Sequence, residues 1–114
     1  AAGLTPAVEK AAAGAVAHLP VAMVTNLAAC LERLKERGIW VCGADPRGER
    51  LYYEADLRGP LVVVVGSEGR GIPRLVRERC DFLVRIPMRG RVASLNVAVA
   101  AAVILFEAAR QREG

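Results

Sequence analysis

Histidine, aromatic rings and paired cysteines are scarce in this chain of 114 residues. His18 is the one histidine, and Cys30, Cys42 and Cys80 lie far apart with no Cys-x-x-Cys spacing. That pattern argues against a zinc site or a disulfide framework. It leaves three free thiols of the kind kept reduced in a cytoplasm. Phe, Trp and Tyr make up only 4% of the chain, so a core must be built from Val, Ala, Leu and Ile. The longest apolar run, Val97 to Phe106, is too short to cross a bilayer. The start has no basic segment leading into a compact apolar stretch and cleavage site, so neither a membrane span nor a secretory leader is expected. Lysine is rare as well, with 14 of the 16 basic residues being arginine and a formal net charge of +4. Seven arginines fall between Arg70 and Arg91, against only Glu78 and Asp81 in that window. Planar guanidinium donors in such excess suit an anionic partner such as nucleic acid, and a solvated surface reads equally well from composition alone.

Hydrophobic residues nonetheless reach 54%, enough for one domain with one core. Thr5-Pro6 opens a helix running to about Val16. Pro20 precedes a short strand, Val21 to Val24. Asn26 caps a helix whose Leu27, Leu31 and Leu34 recur at helical spacing, and Gly38 ends it. Ile39 to Cys42 reads as a strand closed by Gly43, and Asp45-Pro46-Arg47-Gly48 as a turn. A brief Leu51-Tyr52-Tyr53 segment leads to a break at Gly59-Pro60. Leu61 to Val65 is uninterruptedly apolar, like a strand buried on both faces of a parallel sheet. Pro73 starts a helix to about Cys80, Phe82 to Ile86 forms another strand, and Ser94 caps a last helix to about Gln111. Strands alternating with helices predict an α/β fold, a mostly parallel sheet with helices on both faces. The last helix is apolar all round from Val97 to Phe106, which predicts burial on every side, partly against a second subunit. Glu107, Arg110 and Arg112 read as its solvated end.

Unusual residues cluster where strands end and a helix begins, the places where parallel α/β proteins bind ligands. Gly66-Ser67-Glu68-Gly69-Arg70-Gly71 follows a buried strand, and its glycines permit positive φ and close backbone approach. It is neither GxxxxGK[ST] nor GxGxxG, so a structural turn is as good a reading as a ligand loop. Glu68 would repel a pyrophosphate but suits a cation or a hydroxyl that must be oriented. Ile86-Pro87-Met88 offers a stiff apolar wall for a flat ring, or simply a strand running into a turn. Ser94 and Asn96 flank Leu95 at a helix start, where each is also a natural cap.

In combination and in this order, the motifs resemble the C-terminal catalytic domain of the SPOUT methyltransferases, specifically the tRNA/rRNA ribose 2′-O-methyltransferase family. Gly66 to Gly71 resembles that family's second motif. Ile86-Pro87-Met88 with Ser94-Leu95-Asn96-Val97-Ala98-Val99-Ala100 resembles its third. Val24-Thr25-Asn26-Leu27, Gly38-Ile39-Trp40-Val41 and Leu105 to Arg112 look most like the bacterial enzymes that methylate a guanosine ribose in 23S rRNA. The resemblance covers essentially the whole chain. It implies a deep trefoil knot, formed as the chain after Met88 passes through an earlier loop. It also implies S-adenosylmethionine as cofactor, an RNA substrate and a homodimer packed through terminal helices, with no metal. By motif position, Gly66, Ile86, Met88 and Leu95 line the cofactor pocket, largely through backbone groups. Glu68, Ser94 and Asn96 surround the reacting ribose, and Arg70, Arg74, Arg89 and Arg91 hold RNA.

The family's first motif, Asn-x-Gly-x-x-x-Arg, would fall just before Ala1 with the arginine held to activate the ribose hydroxyl. Residues 1–114 are therefore expected to be a catalytic domain truncated at its N-terminal side. Two other readings stay open. A dinucleotide-binding oxidoreductase domain would use Asp45, after Gly43, to contact a ribose. A non-catalytic RNA-binding or dimerisation module would keep the fold and lose the chemistry.

Overall fold

Leu27, Leu31 and Leu34 share one face of helix α1 (Leu27–Glu36), and Leu31 is wholly buried beneath it. Gly38 ends the helix at φ +81°, a conformation without penalty for glycine, and its N–H donates to the Lys35 carbonyl at 3.0 Å. From there a computed structural model, describing residues 27–66, 71–88 and 96–113, enters strand β1 (Trp40–Ala44). A two-residue strand β2 (Arg50–Leu51) and a single 3-10 turn, Tyr52–Glu54, follow. Strand β3 (Leu61–Val65), a one-turn helix α2 (Arg74–Arg77), strand β4 (Phe82–Arg85) and helix α3 (Val97–Glu113) complete the order. The predicted helix and strand between Thr5 and Val24 lie outside the described residues, as does the stretch after Met88 expected to thread a knot.

The strands form one sheet, order β2-β4-β1-β3, and every pair is parallel. Their side chains alternate as pleating requires. Cys42, Val63 and Val84 pack on one face with Leu57, Ile104 and Ala108, under α3. Val41, Val62, Val64 and Leu83 pack on the other with Leu31, Ile72 and Val76, under α1 and α2. Helices thus cover both faces, as the alternation of elements predicted.

Gly43 corrects one expectation. It stands inside β1 rather than closing it, and the strand runs on through Ala44. An added Cβ there would sit 2.7 Å from Cys80 Sγ and Leu83 Cδ2, so the glycine serves packing, not a turn. Asn96 caps α3, its Oδ1 accepting the Ala98 N–H at 2.8 Å, while Ser94, the expected cap, lies outside the described residues. At the far end of α3 Arg110 and Arg112 are exposed as expected, but Glu107 is not. Glu107 is buried, takes a two-pronged pair from Arg110 at 2.8 Å, and accepts from Gln111 at 2.8 Å. Gln111 also donates to the Ala55 carbonyl and accepts the Leu57 N–H, while Arg112 reaches the carbonyls of Leu57 and Gly59. These bonds fasten the helix end to the loop before β3. On the apolar stretch of α3, Val99 and Phe106 (54% exposed) face water in the single chain, where the expected burial was partly against a second subunit.

Candidate active site

Register brings the motifs to one level. Ala44 pairs with Val65 on one side and Val84 on the other, so Asp45 and Gly66 leave the sheet as neighbours, level with Arg85, the last residue of β4. Gly66 is packed against the returning chain: a Cβ would overlap the main chain of Gly71. Gly71 in turn holds φ +73°, with room for no Cβ against Asp45 Oδ2. The loop therefore closes on a neck of two touching glycines.

Asp45 secures that neck. Its carboxylate, 3% exposed, accepts from Arg47 N at 2.9 Å, Arg47 Nε at 2.7 Å and Arg47 Nη2 at 2.8 Å. A fourth donor, the Ile72 N–H, lies at 2.8 Å. The Arg47 hydrogen bonds hold this carboxyl well below the usual carboxylate range, outweighing the cost of burial. The oxidoreductase reading needed Asp45 free to meet a ribose, and its capacity is already taken. Sequence reasoning saw Asp45-Pro46-Arg47-Gly48 only as a turn. The aspartate's bond to a backbone N–H two residues on is the mark of such a turn, but nothing local points to Ile72.

Of the predicted cofactor residues, the structure sets Gly66, Ile86 and Met88 at the ends of β3 and β4, which flank β1. The Ile86 side chain packs into the core under α3, and Met88 is half-buried. Asn96 stands at the start of α3 with its Oδ1 committed to capping. Glu68, Ser94, Leu95, Arg70, Arg89 and Arg91 lie outside the described residues.

The arginines divide by role. Arg85 donates to the carbonyls of Gly48 and Glu49 at 2.9 and 3.0 Å, fixing the turn beside Asp45. Arg77 donates to the Ile72 carbonyl, and Arg79 pairs with Glu32 at 2.6 Å without an aligned hydrogen bond. Arg74, 80% exposed, is tied only along its own segment to Glu78 at 3.0 Å. Among the described residues, no three His, Cys, Asp or Glu side chains gather as a metal site. No helix there is long and apolar enough to cross a membrane. A hollow of about 330 Å³ lined by Trp40, Arg50, Asp56, Gly59 and Phe82 opens at the strand starts, the end of the sheet away from the glycine neck.

The strand-end level suits a ligand held by main-chain groups along a partly apolar surface. It offers glycine backbone without side chains and half-buried Met88, and the Asp45 charge there is already compensated.

Comparison with known proteins adds three findings. The model of the SpoU rRNA Methylase family matches residues 1–106. The 23S rRNA (guanosine-2′-O-)-methyltransferase RlmB of Pseudomonas putida is 56% identical over 110 residues, 96% of this chain and 44% of that protein. Two crystal structures superpose well: an RNA 2′-O ribose methyltransferase (TM-score 0.78, 36% identity, 98% of this chain, 44% of the other) and the SpoU methyltransferase AviRb from Streptomyces viridochromogenes with AdoMet (0.73, 33%, 89%, 42%). The chain spans less than half the length of the relatives it matches.

Proposed function

This chain belongs to the SpoU rRNA methylase family, and from that premise we propose that it forms the catalytic part of an S-adenosylmethionine-dependent RNA ribose 2′-O-methyltransferase acting on a guanosine of 23S rRNA. The observation that supports the reading is that the glycine neck after β3 and the Ile86–Met88 segment after β4 stand at the same, carboxyl end of a parallel sheet, on either side of β1. S-adenosylmethionine supplies a methyl group already activated on a sulfonium.

Gly66, Ile86, Met88 and Leu95 would hold the cofactor. Ile86 would act through its main chain, because its side chain is committed to the core. A ribose hydroxyl is a poor nucleophile until its proton is accepted or shared. Glu68 and Ser94 orient the hydroxyl and its proton. Asn96 has spent its oxygen on the helix cap, so its amide N–H groups are left to donate to a ribose oxygen. Alignment of oxygen, methyl and sulfur supplies much of the rate. Arg70, Arg74, Arg89 and Arg91 contact the RNA backbone, giving affinity that falls with salt. The exposed Val99 and Phe106 on α3 support a homodimer packed through that helix. Action on ribosomal RNA sets the cytoplasm as the place of work.

The test is methyl transfer from labelled S-adenosylmethionine by the whole protein to 23S rRNA, with nucleoside digestion of the product. Label in 2′-O-methylguanosine is expected. Label in a base, or in tRNA alone, would overturn the assignment, and RNA binding without transfer would favour a non-catalytic module.

A further inference from the structure

We propose that Asp45 is a positioning residue for cofactor binding: together with Arg47 it forms a charged clasp that sets the neck of the glycine loop. The inference rests on the reading above, in which this loop holds S-adenosylmethionine.

The clasp grips both main-chain groups of one residue. Asp45 Oδ2 accepts the Ile72 N–H at 2.8 Å, and Arg47 Nη2, itself on Asp45 at 2.8 Å, donates to the Ile72 carbonyl at 3.2 Å. The paired carboxylate and guanidinium act as one plate, closed by the bond from Arg47 Nε at 2.7 Å. Asp45, Gly71 and Gly66 are stacked without room for a Cβ at either glycine. The main chain of Ile72, and with it Gly71 against Gly66, is therefore tied to the turn after β1 by a buried carboxylate, in addition to the packing of the Ile72 side chain in the core.

An amide in place of the carboxylate would fail in a defined way. It has one acceptor oxygen where the native group serves Arg47 and Ile72 with two, and its NH₂ would face a donor. The neck would lose its set point while the hydrophobic faces of the sheet stay intact. Asp45 also owes its place to the turn Asp45–Gly48, closed by Gly48 N donating to the Asp45 carbonyl at 2.9 Å, so the anchor itself is rigid.

The experiment is calorimetric titration of the whole protein with S-adenosylmethionine, comparing wild type, D45N, R47Q and Q111L, with steady-state kinetics alongside. Q111L breaks bonds to Ala55 and Leu57 at the end of α3 and serves as a measure of general destabilisation. D45N is expected to weaken cofactor affinity at least about tenfold, or about 1.4 kcal/mol, and R47Q by a smaller factor. The KM for cofactor should rise far more than kcat falls, and Q111L should lower Tm yet bind as wild type does. Wild-type affinity in D45N would overturn the clasp, and so would an equal loss in Q111L. Should D45N not fold, R47Q decides alone, unchanged affinity again overturning it. A wild-type protein that binds no S-adenosylmethionine would instead bring down the functional reading, and the clasp's role with it.

Discussion

Replacing Gly66 with alanine probes the neck itself. The new Cβ would overlap the carbonyl of Gly71 and lie 2.6 Å from the Ile72 nitrogen. These are main-chain atoms, and the Ile72 N–H is tied to Asp45, so none can rotate aside. Forcing a methyl into a packed place costs about 1–3 kcal/mol. Stretching a hydrogen bond to a charged acceptor costs up to about 1.5–3 kcal/mol more, although the same displacement produces both costs in part. Alanine also restricts the unfolded chain, which offsets about 0.4–1 kcal/mol. The net expectation is a loss of about 2–4 kcal/mol. Gly43→Ala is the comparison, because the atoms nearest its Cβ would be side-chain ends, Cys80 Sγ and Leu83 Cδ2 at 2.7 Å and Ile72 Cδ1 at 2.9 Å. Those ends can turn away, so about 1–2 kcal/mol is expected there. Urea unfolding of both variants, followed by circular dichroism with the slope checked for constancy, gives the two values. A Gly66→Ala protein as stable as wild type, or less disturbed than Gly43→Ala, would refute the reasoning.

Three further outcomes are expected. The Glu107 carboxyl is drawn down from 4.5 to about 2 by its hydrogen bonds to Arg110 and then Gln111. Its stabilising contribution is present above the unfolded value and is lost as pH falls from about 4.5 through about 2. Urea midpoints of Glu107→Gln should therefore change less than those of wild type across that window, and parallel curves would contradict the assignment. Ile104→Ala removes a side chain with no exposure and should cost about 2–5 kcal/mol in the same assay. Burial, then the neighbouring Cys80, pushes the Cys42 thiol up to about 12. Mass spectrometry after iodoacetamide treatment near neutral pH should find Cys42 unmodified in the folded protein and modified in urea.

Much of the fold could be read along the chain because its signals were local. The unbroken apolar run Leu61–Val65 became β3, and the leucine spacing became α1. Misreadings came where the cause lay elsewhere. Gly43 carried the same local signature as a strand-ending glycine, and only Ile72, Cys80 and Leu83, arriving later in the chain, require it to be small. Glu107 sits among charges that suggest solvent, yet it is buried and bonded to Gln111, which is itself docked on the loop at Ala55–Leu57. Asp45 announced a turn, while its second task depends on Ile72, 27 residues away. For the candidate site, motif order was legible, and Gly66, Ile86 and Met88 do follow β3 and β4 at one end of the sheet, on either side of β1. The partner of each polar group was not legible, because hydrogen bonding across a sheet has no sequence period.

The attachment of α3 also bears on how the chain comes into being on the ribosome. Its bonds to Ala55 and Leu57 join residues 56 and 54 positions apart. At about 5–20 residues per second, α1, α2 and the strands emerge well ahead of that last helix. Among the described residues, one face of the newborn sheet is then clothed by α1 and α2, while the other, with Cys42 and Val84, has only the segment from Tyr52 to Leu57 over it until α3 lands. That interval is when the nascent chain has most need of a chaperone. Weakening the landing of α3 should therefore show first as a smaller harvest of soluble protein, each molecule of which works normally.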